Sequence, residues 1–323
     1  MASPPMTTVI RRLPDRPMSS PIVAIGNFDG LHRGHQAIIA RAVARAREVG
    51  GTGVVLTFDP HPVTVLRPET PFPLLSTLDQ KVELMTGLGV DLVCALPFTI
   101  EFSRRSAEQF VREDLVARLG AREVYVGRNF AFGKGREGGV EDLQRFGESF
   151  GMRVVIQPPV LVGETMVSSS TIRRLLREGA VAEAAGLLGR PYATDGVVTH
   201  GEGRGRALGY PTANIRPGAQ VLPNIGIYAA VVDDLTSGER GMDAVVYLGS
   251  QPTFGAHQVQ LEAHLFGADA PRYDHRLRIA FIAWIRGEER FPNPEALVAQ
   301  IARDVAAARA ALAASAGRTG GRR

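Results

Sequence analysis

Ile25-Gly26-Asn27-Phe28-Asp29-Gly30-Leu31-His32-Arg33-Gly34-His35-Gln36-Ala37-Ile38-Ile39 decides the fold of this chain, and it places two of the 7 histidines three residues apart. The apolar run Ile22 to Ile25 reads as a buried parallel strand, and Gly26 and Gly30 permit a tight turn. From Gln36 onward, Ile38, Ile39, Ala42, Val43 and Ala46 fall on one helical face. The two imidazoles therefore sit where a strand enters a helix. Free backbone N–H groups and the positive end of the helix dipole attract phosphate at such a place. Two imidazoles flanking a small Gly34 can close around the α and β phosphates of a nucleotide, which makes this a site for attack at phosphorus. A helix cap with surface histidines is the plainer alternative, but it leaves the pattern H-x-G-H after G-x-F-D-G unexplained.

Outward from this turn, short apolar runs alternate with helical patterns. Strands are expected at Ile22 to Gly26, Gly53 to Phe58, Leu92 to Leu96, Glu123 to Val126 and Arg153 to Gln157. Helices are expected near Gln36 to Val49, Leu78 to Leu88, Ala107 to Leu119 and Val140 to Phe150. This alternation predicts an α/β, doubly wound parallel sheet. After Gly189 the strands come close together, at Tyr192 to His200, Gly226 to Val232, Ala244 to Leu248, Val259 to Phe266 and Leu277 to Ile285, separated by Gly, Pro and Asp. That spacing predicts an antiparallel β-barrel or sandwich, closed by an alanine-rich C-terminal helix over Pro294 to Ala314 and a disordered tail from Arg318. The boundary falls near Leu188, giving domains 1–188 and 189–323. A chain of 323 residues exceeds what one core usually supports.

Composition narrows the class. With 45% hydrophobic residues and no apolar run near the length of a membrane span, no membrane association is expected. The proline-rich start, Met1 to Ser20, lacks the apolar core of a signal peptide, so the expected location is cytoplasmic. The single cysteine, Cys94, lies in an apolar strand segment and can form neither an intrachain disulfide nor a cysteine zinc site. A net charge of +4 is small and lies partly in the tail, so no nucleic-acid partner is expected. The composition is compatible with an oligomer.

In an open α/β sheet, function belongs at the carboxyl ends of the strands. Three loops there carry unusual residues. Thr57-Phe58-Asp59-Pro60-His61-Pro62 is held by two prolines, and Phe58 could stack on a planar ring or simply belong to a rigid turn. Val126-Gly127-Arg128-Asn129-Phe130-Ala131-Phe132-Gly133 opens a glycine-rich basic loop whose phenylalanines have no helical period. Ser168-Ser169-Ser170-Thr171-Ile172-Arg173 offers hydroxyls that can cap a helix while Arg173, one turn in, faces the same anion.

The H-x-G-H stretch resembles that of the adenylyl- and cytidylyltransferase superfamily, in which the histidines bind ATP phosphates and stabilise the transition state without a covalent enzyme intermediate. The loops together resemble one family, the bacterial bifunctional riboflavin kinase/FMN adenylyltransferases, or FAD synthetases. The resemblance covers most of the chain. It implies an FMN adenylyltransferase domain of nucleotidyltransferase type, with Gly26, Phe28, His32, His35, Asn129, Ser169, Ser170 and Arg173 on ATP. Phe58 and Asp59 would lie on the flavin side.

The second half points to the same family independently. Gly201-Glu202-Gly203-Arg204-Gly205-Arg206-Ala207-Leu208-Gly209-Tyr210-Pro211-Thr212-Ala213-Asn214-Ile215 sets glycines before a rigid proline, then a hydroxyl and an amide two residues apart. On a strand the two share one face and can offer neutral oxygens to Mg²⁺ while the glycines close over phosphates. The stretch looks like the flavokinase motif, which implies that Thr212 and Asn214 bind the metal and that Gly205 with them meets ATP phosphate. Gln260-Leu261-Glu262-Ala263-His264-Leu265 alternates, so Glu262 and His264 share a face, which a solvated barrel exterior would explain equally well. The family's catalytic base matches Glu262, and Arg286 in Ile285-Arg286-Gly287-Glu288-Glu289-Arg290-Phe291 would belong to the flavin side. The segment Phe266 to His275 departs from the family's aromatic and acidic pattern. The resemblance implies an enzyme that uses ATP and Mg²⁺ to turn riboflavin into FMN and FMN into FAD, with these small molecules as its partners. Two other readings compete with it. A different H-x-G-H transferase with a ligand-binding barrel is opposed by P-T-A-N followed by Glu262. An RNA-binding or flavin-sensing regulator is opposed by the intact chemistry-bearing residues of both halves and by sparse aromatic platforms.

Overall fold

Runs of Val, Ile, Leu and Ala separated by helical segments build the first half of the computed structural model, which describes residues 7–201, 205, 208–253, 256–267 and 272–319. The chain divides into two units, Met1–Ser169 and Ser170–Arg323.

The first unit is a six-stranded sheet in the order β1 (Thr8–Ile10), β4 (Leu92–Leu96), β3 (Thr52–Phe58), β2 (Pro21–Ile25), β5 (Glu123–Gly127) and β6 (Arg153–Gln157), parallel throughout. The chain winds outward from β2 through β3 to β4, then crosses back to β5 on the other side, so a ligand crevice is expected at the carboxyl ends of β2 and β5. Both faces are covered, which is why the strands read as continuous apolar runs. Val23, Ile25, Leu56, Cys94, Val124 and Val126 point into one core with Phe110, Leu115 and Leu143. Ile22, Ala24, Val55, Val93 and Ala95 point into the other, against Ile38, Ile39 and Ala42 of α1 (Arg33–Glu48) and Met85 of α3 (Leu78–Gly87). Burial pushes the Cys94 thiol up to about 12, which fits the inert core cysteine expected from the sequence. Between β3 and α3 lies the short α2 (Pro62–Leu66). The helix expected at 107–119 begins as α4 (Ala107–Gln109), capped by Ser106, and continues with π-type hydrogen bonding over Phe110–Leu119. After α5 (Val140–Phe150) and β6, a small hairpin, β7 (Leu161–Val162) and β8 (Thr165–Met166), precedes α6. Strand β1 was not anticipated: it is three residues long, half-exposed, and owes its place to pairing with β4.

The division falls just inside α6 (Ser169–Arg177), and the second unit runs on from there through α7 (Val181–Leu188) into a closed antiparallel barrel. Its order is β10 (Ala213–Pro217), β13 (Ala256–Leu265), β12 (Met242–Thr253), β11 (Gly226–Asp234), β14 (Arg276–Arg286) and β9 (Tyr192–Thr199). Of the two architectures the sequence left open, the barrel is the one formed. Strand β10, which closes it, has only Ile215 fully buried and ends at Pro217, so its alternation was too weak to read as a barrel strand. Helix α8 (Pro294–Thr319) lays Ala308 and Leu312 on Ala229, Val231 and Ala283, and runs past Ala314. The tail from 320 on lies outside the described residues.

Candidate functional site

The H-x-G-H turn forms as its residues dictate. His32 is extended, with φ −68° and ψ 170°, and caps α1: its Nδ1 accepts the His35 backbone N–H at 3.2 Å, the place a Ser or Asp usually fills. The two imidazoles stack, with centroids 3.5 Å apart, and Phe28 meets His35 edge-on at 5.3 Å. A Cβ on Gly34 would come within 3.2 Å of the His32 ring, so this position has no room for a larger residue without moving the imidazole. Burial, and then the charges of His32 and Lys81, hold His35 well below the usual histidine value, so it is neutral at pH 7. Its Nδ1 is buried and has no partner among the described residues.

The loop carrying this pair is braced from below. The Asp29 carboxylate accepts the Leu75 and Ser76 N–H groups at 2.9 and 3.1 Å, and the Gly30 N–H donates to Ser76 Oγ at 2.8 Å. Ser169 Oγ donates to the Asp29 carbonyl at 2.9 Å. Thr57 Oγ1 and Lys81 Nζ both donate to the Asn27 carbonyl at 3.3 Å.

Above the turn is a pocket of about 310 Å³ at the carboxyl ends of β2 and β5. It brings together Gly26, Phe28, His32, His35, Asn129 and Ser169 of the residues assigned to ATP, and adds Arg128. Ser170 and Arg173 belong to the second unit, on α6, with Arg173 buried. Phe58 and Asp59 end β3 and do not line this pocket. Phe58 meets Phe98 and Phe102 at 5.5 Å, and Asp59 pairs with Arg11 at 2.9 Å. Sequence reasoning missed the wall made by Pro158 to Val160, Met166 and Val167, and it missed Lys81, which is buried behind the turn. Lys81 did leave a signal, since it falls in the apolar stripe Leu78, Val82 and Met85 of α3.

In the barrel, strand register assembles a second constellation. Asn214 of β10 lies opposite Glu262 of β13, which lies opposite Tyr247 of β12. Leu261, Ala263 and Leu265 are buried, so Gln260, Glu262 and His264 share the outward, half-buried face. Thr212 Oγ1 donates to one Glu262 oxygen at 3.2 Å, and Gln260 Nε2 donates to the other. His264 Nδ1 lies 2.8 Å from the Pro211 carbonyl, pinning the turn that precedes Thr212. Glycine is required close by, since a Cβ on Gly201 would collide with the Asn214 amide, and one on Gly205 would lie 2.5 Å from the Tyr210 carbonyl. Residues 202–204 and 206–207 of this motif, and 268–271 of the altered loop, lie outside the described residues. The hydroxyl and amide oxygens of Thr212 and Asn214 are neutral donors suited to a small hard cation, beside the Glu262 carboxylate. Arg286 is engaged elsewhere: its fork donates to Asp304 at 2.9 and 2.7 Å, fastening β14 to α8.

Residues 16–171 match the FAD synthetase family and residues 188–312 the riboflavin kinase family. A bifunctional riboflavin kinase/FMN adenylyltransferase of Escherichia coli K12 is 34% identical over 93% of this chain and 95% of its own length. Those of Pseudomonas fluorescens and Listeria monocytogenes are 39% and 37% identical, over 92% and 88% of this chain and 94% and 90% of their own lengths. A crystal structure from Streptococcus pneumoniae, titled a macrolide-efflux protein, superposes with a TM-score of 0.84 at 29% identity, over 94% of this chain and 99% of that one. No helix among the described residues is long and apolar enough to cross a membrane. One family match falls on the parallel-sheet half and the other on the barrel half, and single relatives align with both at once; the chain belongs to the bifunctional riboflavin kinase/FMN adenylyltransferase family.

Proposed function

We propose that this chain makes FAD from riboflavin in two steps. The barrel transfers the γ-phosphoryl group of ATP to the 5′-hydroxyl of riboflavin, giving FMN. The parallel-sheet domain joins FMN to the adenylyl group of a second ATP and releases pyrophosphate. The observation that carries this reading is the presence of two separate phosphate-handling constellations, the stacked histidine pair over one pocket and the Thr212–Glu262–Asn214 cluster on the barrel.

In adenylyl transfer, a phosphate oxygen of FMN attacks the α-phosphorus of ATP, the bond to the β-phosphate oxygen breaks, and charge builds on the departing pyrophosphate. His32 and His35, with Gly26, Phe28, Asn129 and Ser169, hold the triphosphate. A neutral His35 donates a hydrogen bond to charge that develops only as pyrophosphate leaves. Phe58 and Asp59 serve the flavin side. In phosphoryl transfer, Glu262 orients the riboflavin hydroxyl and takes its proton as ADP departs, which asks for positioning more than for basicity. Thr212 and Asn214 would hold Mg²⁺, whose charge offsets that of the ATP phosphates, while Gly205 lets the backbone approach them. Arg286 serves the flavin side through the end of β14 that it anchors. The partners are thus ATP, riboflavin and FMN, and a cytoplasmic setting supplies the ATP. Pure protein incubated with riboflavin, ATP and Mg²⁺ should yield FMN first and FAD after it, resolved by chromatography. Failure to form FAD from supplied FMN overturns the second step.

The functional domains divide near Leu188, where the riboflavin kinase match begins. Val181, Ala184, Leu187 and Leu188 of α7 are buried, and α7 packs on β9 and β14 within the second unit. Residues 170–323 expressed alone should therefore convert riboflavin to FMN and make no FAD. Residues 189–323 should do the same with a lower melting temperature, because the apolar contacts of α7 are left behind, at ~1.5–3 kcal/mol for each large side chain. A cooperatively folded 170–323 without kinase activity would sink the assignment of Thr212, Asn214 and Glu262.

A further inference from the structure

Lys81 is a buried cation to which the chemistry above assigns nothing. It sits on α3 with 5% of its surface exposed, in the apolar stripe of that helix. An ammonium in such a place is costly unless it is matched, and a core position that needed only packing would be served by Met or Leu. Its Nζ donates to the Asn27 carbonyl at 3.3 Å, which Thr57 Oγ1 also meets. The two carboxylates that draw on its charge, Asp29 and Asp59, are each satisfied without it. Asp29 accepts the Leu75 and Ser76 N–H groups, and Asp59 pairs with Arg11. Both carboxylates therefore keep hydrogen-bond or ion-pair partners when Lys81 is removed. Asn27 opens the turn in which Phe28 and Leu31 take φ of 49° and 39°, conformations that side chains rarely adopt and that only surrounding bonds maintain. The turn ends in the stacked histidines, and the Lys81 charge reaches His35.

We propose that Lys81 is a positioning residue for adenylyl transfer: its ammonium fixes the Asn27 carbonyl, and with it the Phe28–His35 turn on which the ATP phosphates rest, while its charge stands behind His35 and away from the substrate. The inference rests on assigning FAD formation to the H-x-G-H domain. The charged groups facing His35 are His32 on its own helix and Lys81 from α3, and those facing Lys81 are Asp29 and Asp59.

The test uses the full chain carrying Lys81→Met, with FMN formation as an internal control. FAD formation from supplied FMN should fall tenfold or more, in kcat rather than in the KM for ATP. FMN formation should be unchanged, and the cooperative melt should be retained, since Asp29 and Asp59 keep their other partners. Adenylylation requires His35 neutral and is lost as pH falls through its pKa. Removing the neighbouring cation raises that pKa, so the acidic limb of the FAD profile should move to higher pH. Lys81→Gln keeps a donor for the Asn27 carbonyl without the charge, and should show the same shift with a smaller rate loss. Wild-type FAD turnover in Lys81→Met overturns the proposal. So does a loss of FAD formation accompanied by lower stability and an unshifted limb, which would make Lys81 structural. Should Lys81→Met not fold, an unshifted limb in folded Lys81→Gln overturns it. An unsubstituted chain that makes no FAD at all defeats the functional reading instead.

Discussion

His35→Ala is expected to lower FAD formation by ~10²-fold or more, the loss typical of a donor aimed at charge that appears in the transition state. The imidazole stacks on His32, meets Phe28 edge-on, and keeps a buried Nδ1 without a partner among the described residues, so packing holds it in place for the proposed role. Conversion of riboflavin to FMN should survive, because no step of it runs through this pair. The wild-type acidic limb should lie well below pH 6.5, since burial, His32 and Lys81 all oppose protonation of His35. The same shift has a stability consequence with a definite sign. Below the ordinary histidine pKa the unfolded chain binds a proton that the folded chain refuses, so stability falls as pH drops from ~6.5. That part of the pH dependence should vanish in His35→Ala. Equal loss of both activities in a folded variant would argue against the assignment.

Glu262→Gln should reduce riboflavin phosphorylation by ~10²–10⁴-fold, the range for a lost general base, while supplied FMN is still converted to FAD. The change preserves shape, and the residue remains opposite Asn214 in the β10–β13 register. On the proposed role of Glu262, what is lost is the charged acceptor for the riboflavin proton. Thr212 Oγ1 and Gln260 Nε2 now donate to the two carboxylate oxygens; an amide offers one oxygen and one NH₂, so with Gln260 kept as donor the Thr212 contact must reverse, its hydroxyl accepting from the new NH₂. Some loss of order at Thr212 should follow, read as weaker Mg²⁺ dependence in the residual activity. Wild-type kinase turnover in Glu262→Gln would exclude the role of base.

The first domain was legible because its signals are local. A buried strand, a glycine turn and an amphipathic helix occupy consecutive residues, so the sequence alone determined that His32 and His35 stand at a helix N-terminus beside a strand end. The change from alternating strands and helices to closely spaced strands was also legible, since the loss of intervening helices is read along the chain. It left barrel and sandwich both open, and only the pairing of β10 with β13 and β9 closed the barrel. Tertiary structure decided what depends on pairing between distant residues. Strand β1 exists because β4 offers it an edge, and β10 because the barrel must close between β13 and β9. Glu262 acquires its partners Thr212 and Asn214 only through that closure, across a sequence separation no periodicity records. Lys81 shows the same division. Its place on the apolar stripe of α3 is written in the sequence, but a buried ammonium has meaning only once folding brings the Asn27 carbonyl and the carboxylates of Asp29 and Asp59 around it, because an electrostatic environment belongs to neighbours in space and not to neighbours in the chain.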